Sequence, residues 1–65
     1  MSTTADLLQR VAHAIEEGAK APEPDWSRTL ELSRYALILE GIVARGAEAH
    51  DILAGRVEAF LRERT

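Results

Sequence analysis

The stretch from Trp26 to Gly46 places apolar residues on two nearly opposite faces of one helix. A helix that packs only against its own domain needs a single apolar stripe. A second stripe in so short a chain therefore predicts contact with another molecule. The first face comprises Leu32, Tyr35, Ala36, Leu39, Ile42 and Val43, and the second comprises Trp26, Leu30, Leu37, Gly41 and Ala44.

A preceding helix is predicted over residues 5–19. Thr3 or Thr4 can cap its first turn, and Asp6 lies where the positive end of the helix dipole favours an acid. Its apolar stripe has helical spacing and comprises Leu8, Val11, Ala12, Ile15 and Ala19.

Residues 20–25 form the predicted linker to the second helix. Pro22 and Pro24 lack the amide proton that a helix interior needs. Asp25 then provides a helix cap directly before Trp26, so the second helix is predicted over residues 25–45.

Two interpretations of the remaining chain stay open. In the first, Gly46 ends the second helix and a third runs over residues 47–64, with Asp51 as a competing start. In the second, one long bent helix continues from Trp26 and forms a coiled-coil-like dimer. The second is favoured by a series of positions whose spacing alternates without a break between four and three residues, as in a heptad repeat. The series is Leu32, Ala36, Leu39, Val43, Gly46, His50, Leu53, Val57, Phe60 and Arg64.

The fold class predicted from these patterns is all-α. The main expectation is a three-helix bundle, a single domain over residues 1–65 with the second helix at its centre. Ala, Leu, Glu and Arg dominate the composition, which is typical of helices. A chain of 65 residues has a marginal core, and it has no cysteine for disulfides. We therefore expect a partner subunit to add stability, most simply as a homodimer.

The charge balance argues against nucleic acid as a partner. Eight Lys and Arg stand against eleven Asp and Glu, giving a net charge of −3. The arginines scatter over several helix faces and lack an aromatic stacking platform. A small DNA-binding regulator, such as an antitoxin-like or phage-type component, remains an alternative. No apolar run is long enough to span a membrane, and a cytoplasmic location is expected.

The two histidines are candidates for metal binding or for a pH-sensitive contact. His13, Glu16 and Glu17 have a spacing suited to metal binding, but they lie opposite the apolar stripe of the first helix. His50 lies on the stripe of the third helix. It is expected to be partly buried and bonded to backbone, with a symmetric histidine contact or a shared metal site in a dimer as alternatives.

No constellation typical of an enzyme is present. Glu31, Glu40 and Glu48 are the nearest acid–base candidates, and Glu40 is expected to be partly buried in a salt bridge. No nucleophile elbow or phosphate-binding loop accompanies them. We expect no catalysis and no cofactor, and the only metal alternative is a site assembled across an oligomer.

The sequence thus predicts a non-enzymatic protein–protein interaction module, acting as a small regulator, inhibitor, adaptor or accessory subunit. Its partner is expected to be a second copy of the chain, a larger protein, or both. The predicted interface residues are Trp26, Leu30, Leu37, Gly41, Ala44 and His50.

Overall fold

Three helices make up the computed structural model, which describes residues 3–63. They are α1 (Thr4–Ala19), α2 (Trp26–Ala44) and α3 (Asp51–Arg62). The prediction of an all-α three-helix bundle is confirmed. Arg64, at the predicted end of the third helix, lies outside the described residues. Within the described part, no helix is both long and apolar enough to cross a lipid bilayer.

The caps predicted for the first two helices are confirmed. Thr3 Oγ1 accepts a hydrogen bond from the Asp6 amide at 3.1 Å, and the Asp6 carboxylate accepts one from the Thr3 amide at 3.4 Å. This reciprocal pair is a capping box. Asp25 caps α2 by accepting from the Arg28 amide at 3.1 Å.

The connection after α2 decides between the two interpretations of the C-terminal half. Gly46 has a φ of 73°, in the left-handed region that favours glycine. Its amide donates to the Val43 carbonyl at 2.9 Å, and the Ala47 amide donates to the Ile42 carbonyl at 3.1 Å. These two bonds are the Schellman closure of a helix C-terminus. The single long helix is therefore wrong.

The third helix begins later than its main prediction, at Asp51 instead of residue 47. The competing start is thus the correct one. Residues 45–50 form a connection because the Schellman closure turns the chain away from the axis of α2. The heptad alternation across Gly46 does not reflect a continuous helix.

All three helices contribute to one aliphatic core. The buried apolar side chains of residues 3–63 are Leu7 and Val11 of α1, Leu32 and Leu39 of α2, and Val57 of α3. α1 packs extensively against α2 and also contacts α3. The central helix is therefore α1, and the expectation that the second helix is central is wrong.

Aromatic contacts join the C-terminal end of α3 to α2. The Phe60 ring meets Tyr35 edge to face, with ring centroids 5.5 Å apart. The Arg28 guanidinium lies 4.9 Å from the Phe60 ring centroid and donates a hydrogen bond to the Phe60 carbonyl at 3.2 Å. The backbones of α2 and α3 come close at few positions. The side-chain contacts of Phe60 therefore provide much of the attachment of α3 to α2.

A polar cluster ties the connection between α2 and α3 to the start of α1. The Thr4 amide and hydroxyl both donate to Glu48 Oε1, at 2.9 and 2.8 Å. The Ala49 amide donates to Thr4 Oγ1 at 2.7 Å. The two hydrogen bonds from Thr4 lower the pKa of the Glu48 carboxyl below its ordinary value of 4.5. Thr4 is itself buried, so this exposed carboxylate completes the polar bonding of a buried residue.

A pair of leucines two residues apart tests the orientation of α2. Leu39→Ala, at a fully buried position, should lower the free energy of unfolding by about 2–5 kcal/mol, because it leaves a cavity. Leu37→Ala, at an exposed position, should change it by about 0.5 kcal/mol or less. Urea denaturation in dilute protein, where any association is weak, measures both. Equal losses would contradict the orientation of α2.

Acid should weaken the contact between Glu48 and Thr4. The pKa of Glu48 is lower in the folded state than in the unfolded state. The charge of Glu48 therefore contributes to the free energy of unfolding above about pH 4.5, and this contribution is lost as the pH falls through the folded-state pKa. The Glu58 carboxyl acts in the same direction, because Arg10 bonds to it at 2.6 Å and lowers its pKa. Glu48→Gln should therefore be less stable than wild type at pH 7, with a gap that narrows by pH 3.

Thermal unfolding across this pH range measures the gap. Glu16→Gln removes the same charge from an exposed position of α1 and serves as the control. A gap between wild type and Glu48→Gln that stays constant with pH would show that the charge of Glu48 does not stabilise the fold.

Candidate interaction surface on α2

The large side chains of the second apolar face of α2 are exposed from one end of the helix to the other. Trp26, Leu30 and Leu37 retain 68%, 62% and 70% of their accessible surface, and Ala44 is also exposed. Gly41 lies half-buried in the same row. We call Trp26, Leu30, Leu37, Gly41 and Ala44 the outer face of α2.

Helix geometry explains why this face stays uncovered. Leu32 and Leu39 are seven residues apart and turn towards α1, where both are buried. Leu30 and Leu37 have the same spacing but stand two residues earlier, which rotates them by about 200° around the axis. The same short helix therefore buries one pair of leucines and exposes the other.

One residue of this surface was missed in the sequence. Ser33 lies three residues after Leu30 and four before Leu37, so it shares their side of the helix. It is half-buried in the structure. Its helical spacing could have identified it, but a search for apolar positions passes over a serine. With Ser33 added to the outer face, that face contains three small residues, at positions 33, 41 and 44.

Gly41 has no steric reason within its own chain to be a glycine. A Cβ added there would meet the Arg45 guanidinium at 3.7 Å, an ordinary van der Waals contact. Glycine within a helix costs about 1 kcal/mol relative to alanine. Nothing described in the fold itself compensates for that cost.

The edges of the outer face are mixed. Ile38 and Val43 are also exposed, although the sequence placed Val43 on the first face, together with the buried Leu32 and Leu39. Glu40 is exposed, so the prediction of a partly buried carboxylate there is wrong. Arg34 and Glu31 form an ion pair with 3.7 Å between Nη1 and Oε1.

His50 lies apart from this row, at the start of α3. Its Nδ1 accepts a hydrogen bond from the Ile52 amide at 3.2 Å, so its side chain caps the helix. The expected bond to backbone is present, but the expected burial is wrong, because the residue is exposed. His50 precedes the helix on whose apolar stripe the sequence placed it, and its interface role stays a prediction.

The other candidate groups have contacts of ordinary structural kinds. His13 and Glu17 form an exposed pair on α1, with 3.7 Å between Nε2 and Oε1. Glu48 bonds to Thr4, and Glu31 pairs with Arg34. Over residues 3–63, no group of three His, Cys, Asp or Glu side chains comes together as a potential metal site.

Three arginines are engaged within the chain. Arg10 pairs with Glu58, Arg34 with Glu31, and Arg28 with the ring and carbonyl of Phe60. These contacts belong to three separate places on the surface. None of these contacts includes a residue of the outer face of α2.

Comparison with known proteins adds no assignment to this surface. The chain matches no family model, and neither the curated proteins nor the solved structures contain a significant match to it.

Proposed function

We propose that this protein is a non-enzymatic protein–protein interaction module whose contact surface is the outer face of α2. It would act as a small regulator, inhibitor, adaptor or accessory subunit. The observation that carries the proposal is the exposure of Trp26, Leu30 and Leu37 in one row on a rigid helix. Large apolar side chains in a contiguous exposed row are a feature of interaction sites.

The energetics favour a covered outer face. Burying a leucine completely gains about 1.5–3 kcal/mol, and each outer leucine has most of that gain still available. Trp26 can contribute more, since tryptophan is enriched among the residues that dominate binding energy. For a small domain with a marginal core, such a gain is comparable to the stability of the fold itself.

The mode of binding would be helix-face docking. An amphipathic helix places residues spaced by three, four and seven into contact with a partner. Trp26, Leu30 and Leu37 follow that spacing, and the backbone that carries them is fixed by Leu32 and Leu39 in the core. The anchors are therefore held in place before binding, which lowers the entropic cost of association.

Glutamate substitutions on two helices test the assignment. Leu37→Glu should weaken association at least tenfold, because it places a charge where desolvation is required. Leu30→Glu should act in the same way. Ile52→Glu is the matched control, because Ile52 lies on α3 and is as exposed as Leu37, at 70%.

Light scattering over a dilution series measures self-association, and pull-downs with each variant as bait measure capture of other proteins. Circular dichroism confirms that each variant folds. The proposal fails if Leu30→Glu and Leu37→Glu retain both the oligomeric state and the captured proteins of wild type.

A further inference from the structure

The large and small residues of the outer face follow an order that is complementary to itself when it is reversed about the middle of α2. From one end to the other, the side chains are Trp26, Leu30, Ser33, Leu37, Gly41 and Ala44. Trp26 and Ala44 stand nine residues before and after Tyr35, and Ser33 and Leu37 stand two residues before and after it. Leu30 and Gly41 are five residues before and six after.

This order makes the face complementary to its own inverted copy. When two α2 helices run antiparallel across a two-fold axis level with Tyr35, each residue meets the one equally far on the other side of that level. Trp26 then faces Ala44 of the partner subunit and Leu37 faces the partner's Ser33, whereas Leu30 meets the partner's Gly41 with an offset of about 1.5 Å along the helix axis. Every large side chain meets a small one, which is what close packing of two helices needs.

We propose that the outer face of α2 docks against the same face of a second copy of this chain, antiparallel and with the two-fold axis level with Tyr35. The inference rests on the proposed function and names its partner. It gives Gly41 a role that the monomer lacks, because a glycine there lets Leu30 of the partner subunit approach the backbone closely. A symmetric interface uses one patch twice, so the self-complementary order of that patch is the required property.

The length of α2 is sufficient for such a contact. Nineteen residues of helix span about 28 Å. The three pairs of large and small residues are distributed over that whole length and repeat symmetrically, which gives six contacts in the dimer. Antiparallel helices also place the positive end of each dipole beside the negative end of the other.

A parallel dimer is the competing arrangement, and charge alone would favour it. The edge carrying Arg34 would then lie beside the edge carrying Glu40 of the partner subunit. In the antiparallel dimer both Arg34 side chains lie near the axis, where Glu31 offsets each charge at 3.7 Å. Exposed ion pairs contribute little to stability. A parallel dimer would set Trp26 against the partner's Trp26 and leave Gly41 against glycine, and this packing misfit outweighs the ion pair.

Cross-linking of single-cysteine variants tests the direction and the register. The chain contains no cysteine, so Trp26→Cys and Ala44→Cys each introduce a unique thiol. A mixture of the two variants should be joined by a short bis-maleimide, because positions 26 and 44 face each other. Either variant alone should not, because two copies of the same position would lie about 27 Å apart. In the mixed dimer, the second pair of Trp26 and Ala44 remains intact.

A glycine pair tests the packing. Gly41→Leu places a large side chain opposite Leu30 of the partner subunit and should raise the dimer dissociation constant about tenfold or more. Gly55→Leu is the control, because a Cβ at Gly55 of α3 meets nothing within 4 Å. It should leave the dissociation constant unchanged. Light scattering over a dilution series measures both variants.

Each other outcome overturns a stated part of the proposal. Cross-linking of either variant alone shows a parallel dimer and overturns the register, while the interaction surface stands. A wild-type monomer at every concentration overturns self-docking, and the proposed function then depends on whether Leu37→Glu changes capture of another protein. A dimer that survives both Leu37→Glu and Gly41→Leu uses another surface and overturns the self-docking proposal.

Discussion

Val11, Leu39 and Val57, one from each helix, lose all their accessible surface in the folded chain, and the rest of the structure depends on this contact. Leu7 and Leu32, which are almost completely buried, complete the apolar core of residues 3–63. A chain of this length removes only about 60% of its unfolded surface from water. The polar contacts at the periphery therefore contribute a larger share of the folding free energy than they would in a larger domain. The capping box of α1, the bonds between Thr4 and Glu48, and the Arg28 contact with Phe60 each fix the end of an element.

The central position of α1 determines what remains exposed. Because α1 packs against both other helices, α2 receives a neighbour mainly on the side of Leu32 and Leu39. α3 reaches α2 through Phe60, which contacts Tyr35 and Arg28 on sides of the helix away from Trp26 and Leu37. The outer face therefore stays exposed because α1, and not α2, lies between the other two helices. The apolar content of α2 exceeds what two neighbours in this arrangement can bury.

Sequence reasoning recovered the features that are encoded locally. Thr3, Asp25, the two prolines and Gly46 act on residues within one turn of themselves, so their effects were predictable. Both faces of α2 follow from helical spacing and were also predictable. The choice between residue 47 and Asp51 as the start of α3, and the exposure of His50, were not predictable, because they depend on how the connection packs after Gly46. The bond between Thr4 and Glu48 joins residues distant in the chain, and no local pattern indicates it.

The glycines show where the fold alone accounts for a residue and where it does not. Gly46 has a left-handed backbone that closes α2, so the monomer explains it. Gly41 is helical, half-buried and free to accept a Cβ, so it weakens the helix with no benefit inside the chain. Its position between Leu37 and Ala44 places this helix-weakening residue in the same row as the exposed Trp26, Leu30 and Leu37. The proposed close approach of a second helix would account for both the glycine and the exposed leucines, which have no partner among residues 3–63 of the same chain.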